Sequence, residues 1–230
     1  MVMVPKNQKQ NRRKAAIALT LFFACVFLVQ SIPAADAEAQ AVLNAYNSTD
    51  NTILKRKALR RLSEGERETG SAVAQWKKDL LSQALDHQDP TVVEAAAYQI
   101  QMLQLPEFNQ RLIDLYHNAT GTFANMYDNR VKIAVVNALA KTGKGDSRVF
   151  KLFQEILRPE VSNFSYIQGD VLNAINTLNE SEYLPMVESY NAFMKEAIAK
   201  KKAAGENVIK YQVLIGYSTI CDNIIRKLRG

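Results

Sequence analysis

The sequence predicts an all-α protein, built as a solenoid of about four to five stacked helix pairs. From the mid-40s to the C terminus, apolar residues recur at three- and four-residue steps, the period of an amphipathic helix. Alternating strand patterns joined by hairpin turns are absent. An apolar triplet also recurs every 36 to 42 residues. A repeat of about 35–47 residues with two helices per unit is typical of helical solenoids, in which each pair covers its neighbour's apolar face.

The N-terminal segment 1–37 is predicted to be a secretory signal peptide. A basic stretch precedes a nearly continuous apolar run over residues 15–32, and Ala35-Asp36-Ala37 fits a cleavage site before Glu38. A cut before Gln40 is a second option. An uncleaved anchor is the alternative, because the apolar run approaches the ~17–25 residues that span a bilayer.

Either version of the leader places the remaining chain outside the cytoplasm, since the basic flank stays inside. The layout is ordinary for bacteria. The expected location is therefore periplasmic or secreted, or anchored in the inner membrane and facing the periplasm.

Charge and cysteine content narrow the functional classes. The chain has 29 Lys and Arg against 23 Asp and Glu, a net charge of +6. Because five of the basic residues and one acidic residue lie in the leader, residues 38–230 are nearly neutral, which gives little support to nucleic-acid binding. Cys221 is the one cysteine after the leader. An internal disulfide and a thiolate zinc site within a monomer are therefore excluded, and a packed thiol is expected.

Residues 38–50 are predicted to be a short lead-in to the repeat domain, 51–230. A first helix near 51–63 follows from the spacing of its aliphatic residues. A second helix, with Ser71 as its N-cap, has an apolar face. The residues of these two faces are Ile53, Leu54, Ala58, Leu59 and Leu62, then Val73, Trp76, Leu80, Ala84 and Leu85.

The best-defined helix pair begins at Asp89. A side-chain oxygen of Asp89 can accept a hydrogen bond from the amides of the first turn, and Pro90 fits the first helical position. Val92, Ala96 and Ile100 recur at helical spacing and form one apolar stripe. A second helix after Pro106 has its stripe on Phe108, Leu112, Leu115 and Tyr116.

Later segments repeat this pattern. A long loop is expected over 118–129, Gly143 and Gly145 are expected to end the next helix, and Asp146 and Ser181 are expected to cap the helices that follow. The apolar triplets that match the best-defined pair are Val131/Val135/Leu139, Ile167/Val171/Ile175 and Ile209/Val213/Tyr217.

The pattern Asp89-Pro90-x-Val92-x-x-x-Ala96-Ala97-x-x-Ile100, followed by Leu105-Pro106 and a helix to Leu115, resembles a HEAT or HEAT-like (armadillo-type) repeat. The likeness extends over roughly 51–229. Lys132 keeps the basic residue that many such repeats carry after the first valine, whereas Val93 departs from it. The resemblance implies a right-handed α-solenoid whose surface binds a partner.

In HEAT-like arrays the second helices of successive pairs line the concave side, here near 71–86, 107–117, 147–158 and 182–200. This set of residues, which we call the predicted ridge, carries both signs of charge and suits a protein or peptide partner better than a polyanion. An ordinary solvated surface is the alternative. The predicted ridge consists of Gln110, Arg111, Asp114, Lys151, Gln154, Glu155, Glu188, Asn191 and Lys195.

One basic run stands apart from the predicted ridge. Lys55-Arg56-Lys57 with Arg60-Arg61 could contact phosphates or an acidic partner, or could cover a solvated helix surface. The run Lys200-Lys201-Lys202 is expected to complement the dipole at a helix C terminus.

No catalytic constellation is recognised, and neither a metal site nor a cofactor is predicted. His87 and His117 belong to no metal motif, and residues 142–147 lack the spacing of a phosphate-binding loop. The leading hypothesis is an exported, non-enzymatic scaffold that binds a protein or peptide of the cell envelope. A membrane-tethered assembly factor is the first alternative. A HEAT-like bilin lyase or DNA glycosylase is the second, disfavoured because Trp76 is the one tryptophan. The oligomeric state is left open.

Overall fold

The described residues of this computed structural model are 34–64, 69–119, 126–158 and 166–230. They contain α-helices, 3₁₀ turns and loops and no strand, so the all-α prediction is confirmed for them. The chain divides into two compact units, 1–44 and 45–230. The predicted apolar run of the leader lies outside the described residues.

Ten α-helices are described, and we number them in chain order. They are α1 Ala34–Asn47, α2 Thr52–Arg60, α3 Gln75–Leu85, α4 Pro90–Leu103, α5 Asn109–Asn118, α6 Met126–Thr142, α7 Ser147–Ile156, α8 Tyr166–Leu178, α9 Leu184–Ala203 and α10 Gln212–Arg229. Short 3₁₀ turns are Gly70–Ala72, Pro106–Phe108, Ser181–Tyr183 and Val208–Tyr211.

Helix α1 begins earlier than helical structure was expected. The apolar periodicity predicts helices from the mid-40s onward, but α1 starts at Ala34 and covers most of the predicted lead-in. Its alanine, glutamate and glutamine residues have high helix propensity, which a search for apolar stripes does not detect. Among the helices described, none is both long enough and apolar enough to cross a bilayer.

Two of the predicted helix caps are confirmed. The Oδ1 atom of Asp89 accepts a hydrogen bond from the Thr91 amide at 2.8 Å, and Pro90 is the first residue of α4. The Oδ1 atom of Asp146 accepts one from the Arg148 amide at 3.0 Å. Both helices therefore start where the sequence places them.

The other two predicted caps, Ser71 and Ser181, are wrong. Both residues belong to 3₁₀ turns that precede the α-helices, so α3 starts at Gln75 and α9 at Leu184. The turns bond their own backbone, with the Val73 amide 3.3 Å from the Gly70 carbonyl oxygen in the first of them. The N-cap position is taken by Ala74 in α3 and by Tyr183 in α9.

The predicted loop 118–129 is shorter than expected, because α6 already begins at Met126. Residues 120–125 lie outside the described residues. The predicted end of α6 is confirmed at Thr142. At Gly143 a Cβ atom would lie 2.6 Å from the carbonyl oxygen of Leu139 and 2.8 Å from Cγ1 of Val149, so this tight corner requires glycine.

The helices pack in a regular order. We call α2, α4, α6, α8 and α10 the first helices of the predicted pairs, and α3, α5, α7 and α9 the second helices. Each first helix contacts the next first helix along the chain. Each second helix contacts the first helix of the following pair: α3 lies on α4, α5 on α6, α7 on α8 and α9 on α10.

Most of the predicted core is buried. The triplet Val92, Ala96 and Ile100 is fully buried, and its counterparts in α6 and α8 are buried as well. Cys221 is also fully buried, as expected for a packed thiol.

Two apolar stripes are predicted incorrectly. In the C-terminal segment Ile209 and Val213 are 73% and 59% exposed, and the core instead receives Leu214, Ser218 and Cys221. The 3₁₀ turn before α10 rotates the chain, because its residues follow a period of three, and the buried face changes accordingly. In α2, Ile53 and Leu54 are exposed, and only the later residues of the predicted face are buried.

A buried polar network joins α5, α6 and the start of α7. Asn109 is 1% exposed, and its Nδ2 atom donates to the Thr142 carbonyl oxygen at 3.1 Å and to Asp146 Oδ2 at 2.9 Å. The Thr142 hydroxyl donates to Asn109 Oδ1 at 2.6 Å. Hydrogen bonds from Arg148 and Asn109 hold the pKa of Asp146 far below its usual range.

A second network joins α9 to α10. Asn191 is 4% exposed, and its Nδ2 atom donates to Asp222 Oδ1 at 2.7 Å. The buried Ser218 hydroxyl donates to Asn191 Oδ1 at 2.8 Å. The side-chain amide is thus satisfied on both sides by the helix that follows.

Candidate functional site

A groove of about 560 Å³ lies across the outward faces of α2, α4 and α6. This volume is within the ~300–1,000 Å³ of typical ligand sites. We call it the arginine groove. Its lining residues are Arg56, Arg60, Ser63, Thr91, Glu94, Ala95, Tyr98, Gln99, Gln101, Arg130, Ile133, Ala134 and Asn137.

Helical spacing positions the polar lining of the arginine groove. Arg56 and Arg60 are four residues apart on α2, and Glu94 and Tyr98 are four apart on α4, so each pair shares one helix face. Tyr98 is 50% exposed. The buried stripes of α2, α4 and α6 face the core, which leaves these residues on the opposite side.

The charge of the arginine groove is positive. Glu94 contributes its one lining carboxylate and is paired with Arg130, whose Nη2 atom lies 2.9 Å from Glu94 Oε2 and 3.1 Å from Glu94 Oε1. Arg56 and Arg60 have no carboxylate partner among the described residues. Within the described ranges, the guanidinium groups of Arg56 and Arg60 are therefore the two in this cleft that no carboxylate compensates.

Three polar atoms of the arginine groove are buried without a hydrogen-bond partner in the described part of the chain. They are the Nε atom of Arg56, the Oε1 atom of Gln99 and the Oε2 atom of Glu94, the last of which lies 2.9 Å from Arg130 in the ion pair. Gln99 is 1% exposed as a residue. Buried polar atoms are nearly always paired in folded proteins, so an unpaired donor and an unpaired acceptor in one groove indicate a binding site.

The basic run noted in the sequence divides into two roles. Lys55 is buried, donates from Nζ to the Tyr46 carbonyl oxygen at 3.0 Å and lies 4.3 Å from the centroid of the Tyr46 ring, so it is structural.

Lys57 and Arg61 line a second groove, of about 460 Å³, that shares Arg56 and Arg60 with the first. The basic surface therefore continues beyond the arginine groove.

On α5, the residues of the predicted ridge form contacts within the protein. Arg111 pairs with Asp86 at 2.5 Å and donates to the Ser82 carbonyl oxygen at 2.8 Å. Gln110 donates to Asp114 Oδ1 at 2.9 Å. Arg111 thus anchors α5 to α3.

On α7, Lys151, Gln154 and Glu155 are exposed, as predicted. The Oε1 atom of Glu155 lies 4.0 Å from Nδ1 of His117. Neither the arginine groove nor the second groove around α2 has these residues in its lining.

On α9, the prediction for Asn191 needs correction, because this residue is buried in the α9–α10 network and is not available at the surface. Glu188 pairs with Arg229 at 2.5 Å, and Lys195 pairs with Asp222 at 2.8 Å. Most residues of the predicted ridge therefore contact other residues of the chain itself.

The arginine groove was missed as a site in the sequence. The basic run identified Arg56 and Arg60, but nothing linked them to Tyr98 or Arg130. A usable signal was the position of Tyr98, a large aromatic residue off the apolar stripe of α4.

The chemistry available to the described side chains includes the binding of an anion by guanidinium groups. Burial raises the pKa of the Cys221 thiol to about 12, so the thiol stays protonated near neutral pH. Within the described ranges, no group of three His, Cys, Asp or Glu residues is placed to hold a metal ion. The arginine groove offers guanidinium donors, an amide and an exposed phenol ring.

Comparisons with known proteins returned no match, either to a family model, to a curated protein or to a solved structure. Function is therefore inferred from the charge, the unpaired polar atoms and the helix packing around the arginine groove. These features together favour recognition of a charged partner.

Proposed function

We propose that this chain is a solenoid of HEAT-like helix pairs that acts as an exported, non-enzymatic scaffold and binds a protein partner through the arginine groove. The observation that carries the proposal is the extent of the groove, which crosses three consecutive first helices, α2, α4 and α6. A groove that spans several units suits an extended partner better than a small ligand enclosed within one unit.

Helix order supports the solenoid. The first helices pack one on the next, and every second helix lies on the following first helix, so one packing step recurs along residues 45–230. In a closed bundle the first and last helices would be expected to pack against each other. No contact between α2 and α10 is among the principal helix contacts of the described part.

The proposed binding face differs from the one that the HEAT resemblance implies. That resemblance implies that a partner binds to the second helices, where the predicted ridge lies. We assign binding to the first helices because Arg56 and Arg60 have no carboxylate partner in the described part of the chain, whereas Arg111, Glu188 and Lys195 are paired within it.

The leader supports a location outside the cytoplasm, and a membrane-tethered form is the alternative to a cleaved one. Intact mass of the protein from its native host distinguishes them. A species that starts at Glu38 or Gln40 indicates the cleaved form, and a full-length species indicates the tether.

Site-specific photocrosslinking in the native host tests the binding face. A benzophenone amino acid replaces Tyr98 in the arginine groove or, as the control, exposed Gln154 on the predicted ridge. We expect a discrete adduct with one protein from position 98 and none from position 154. Adducts from position 154 alone, or from neither position, would contradict the proposal.

A further inference from the structure

We infer that the arginine groove recognises an extended acidic peptide segment, binding a carboxylate at Arg56 and Arg60 and a peptide N–H at Gln99. This inference rests on the proposed function and specifies the chemistry of its partner. It follows from three properties of the groove: its uncompensated charge, the pairing demands of its buried atoms, and its exposed side chains.

The uncompensated charge selects an anion. The Arg130 guanidinium is already paired with Glu94, at 2.9 Å, whereas Arg56 and Arg60 are without a carboxylate among the described residues. Guanidinium groups form two parallel hydrogen bonds to a carboxylate, which adds geometric specificity to the charge attraction. The two free arginines lie on one face of α2, four residues apart.

The buried atoms distinguish a peptide from other anions. Arg56 Nε needs an acceptor, but Gln99 Oε1 is an acceptor and needs a donor. A phosphodiester or a sulfate ester supplies acceptors only and leaves the Gln99 oxygen unpaired. An acidic peptide supplies both, with acceptors on its carboxylates and donors on its backbone. Gln99 is among the residues that line the groove.

The exposed side chains suit an extended chain. Tyr98 is half exposed and lines the groove together with the half-buried Ile133 and Ala134, so the groove has apolar surface as well as charge. The methylene groups of glutamate side chains can pack there while their carboxylates reach the arginines.

Fluorescence anisotropy with the full chain and fluorescein-labelled hexaglutamate tests the inference, at about 0.1 M salt so that distant charges are screened. We expect wild-type protein to bind hexaglutamate and to bind labelled hexaglutamine at least about tenfold more weakly, because loss of one charge-assisted contact corresponds to about that factor. Failure of wild type to bind hexaglutamate up to millimolar protein overturns the inference.

Matched variants localise the binding. R56Q/R60Q removes two positive charges in the groove, and K144Q/K151Q removes two exposed charges near α7. Hexaglutamate affinity should fall at least about tenfold in R56Q/R60Q and by less than about twofold in K144Q/K151Q. Circular dichroism checks that each variant is folded. An equal loss of hexaglutamate affinity in both variants would mean that the peptide is attracted by the net charge of the protein, and would contradict binding at Arg56 and Arg60.

The Gln99→Leu variant and inorganic polyphosphate separate a peptide from a phosphate. We expect Gln99→Leu to weaken hexaglutamate binding by about threefold to tenfold through loss of one hydrogen bond. If Gln99→Leu binds hexaglutamate as wild type does, and polyphosphate displaces the peptide at equal charge concentration, the site is a general anion site and the inference is wrong.

Failure of this inference can be told apart from failure of the proposed function. A photocrosslinked partner at position 98, together with no hexaglutamate binding, would leave the scaffold in place and reject the acidic peptide. Hexaglutamate binding that depends on Arg56 and Arg60, together with no crosslinked partner, would keep the site and reject the scaffold role.

Discussion

The arginine groove and the predicted ridge are both polar surfaces, but they differ in how their side chains are paired. Arg111 of the ridge contacts Asp86 and Ser82, and Asn191 is enclosed by its own network. In the groove, Arg56 Nε and Gln99 Oε1 are buried without partners in the described part of the chain. The same residue types thus stabilise the fold in one place and are available for binding in the other.

This difference determines what substitution should change. A ridge residue with internal partners contributes to the free energy of unfolding, and its removal leaves its partners unpaired. A groove residue without partners contributes little to stability, and its removal should weaken binding. Four measurements test this contrast.

Asn191→Ala should have the largest effect. The substitution leaves the Ser218 hydroxyl without its acceptor, removes one of the two hydrogen bonds that Asp222 Oδ1 accepts from α9, and opens a small cavity. We expect the free energy of unfolding to fall by about 3 kcal/mol, measured by urea denaturation. Lys151→Ala, at an exposed ridge position, serves as the control and should change it by less than about 0.5 kcal/mol. Equal changes in the free energy of unfolding for the two substitutions would show that the internal partners of Asn191 do not stabilise the fold.

Arg111→Ala should have the next largest effect. It removes the ion pair with Asp86 and the hydrogen bond to the Ser82 carbonyl oxygen, which connect α5 with α3. Because the side chain is partly exposed, we expect a loss of about 1–2 kcal/mol in the free energy of unfolding. Arg111→Lys should recover less than half of it, since one ammonium group does not reproduce the two-sided contact. Full recovery of the free energy of unfolding in Arg111→Lys would show that the positive charge at position 111 stabilises the contact without the two-sided hydrogen bonding of arginine.

Acid sensitivity tests the network at the start of α7. The pKa of Asp146 is lowered from 3.8, chiefly by the hydrogen bond from Arg148, so the folded state favours the ionised carboxylate. The stabilisation is fully present above about pH 4 and is lost as the pH falls through the lower folded pKa. Asp146→Asn keeps the cap but cannot ionise. We expect the free energy of unfolding of this variant to fall less steeply below pH 4 than that of wild type. If the two free energies fall in parallel with pH, ionised Asp146 does not stabilise the folded state.

Gln99→Leu should have the smallest effect on stability, with the opposite sign. It replaces a buried oxygen that has no partner in the described chain by an apolar group of similar size. We expect the free energy of unfolding to stay constant or to rise by up to about 1 kcal/mol. A loss of more than about 1 kcal/mol would mean that Gln99 is satisfied within the fold, and would remove one reason for placing a ligand there.

Local chemistry made several parts of the fold predictable from sequence. Asp89 with Pro90, and Asp146, are short-range signals, and the helices begin where these signals place them. The stripes at Val92 and its counterparts follow from helical period alone. The predictions failed at Ser71, Ser181 and in the C-terminal segment, where 3₁₀ turns precede the helices. A 3₁₀ turn has no distinctive composition, and it shifts the buried face by its different period.

The candidate site was less predictable than the fold. Arg111, Asn191 and Arg56 are all polar in the linear sequence. Arg111 and Asn191 have carboxylate partners in the structure, whereas Arg56 has none among the residues that the structure describes. Pairing depends on residues of neighbouring helices, such as Asp222 for Asn191, which lies 31 positions away. Sequence spacing within one helix therefore locates exposed charge but does not say which charge is available.

The hydrogen bonds that converge on Asn109 have a consequence for how the molecule opens. This side chain holds the end of α6 and the cap of α7, so the loss of α5 also releases both neighbours. Thermal fluctuations should therefore free the three helices together, as one cooperative segment, and their amide protons should exchange with deuterium at similar rates. Breathing of the middle of the chain would thus be a concerted event, with little fraying of single helices.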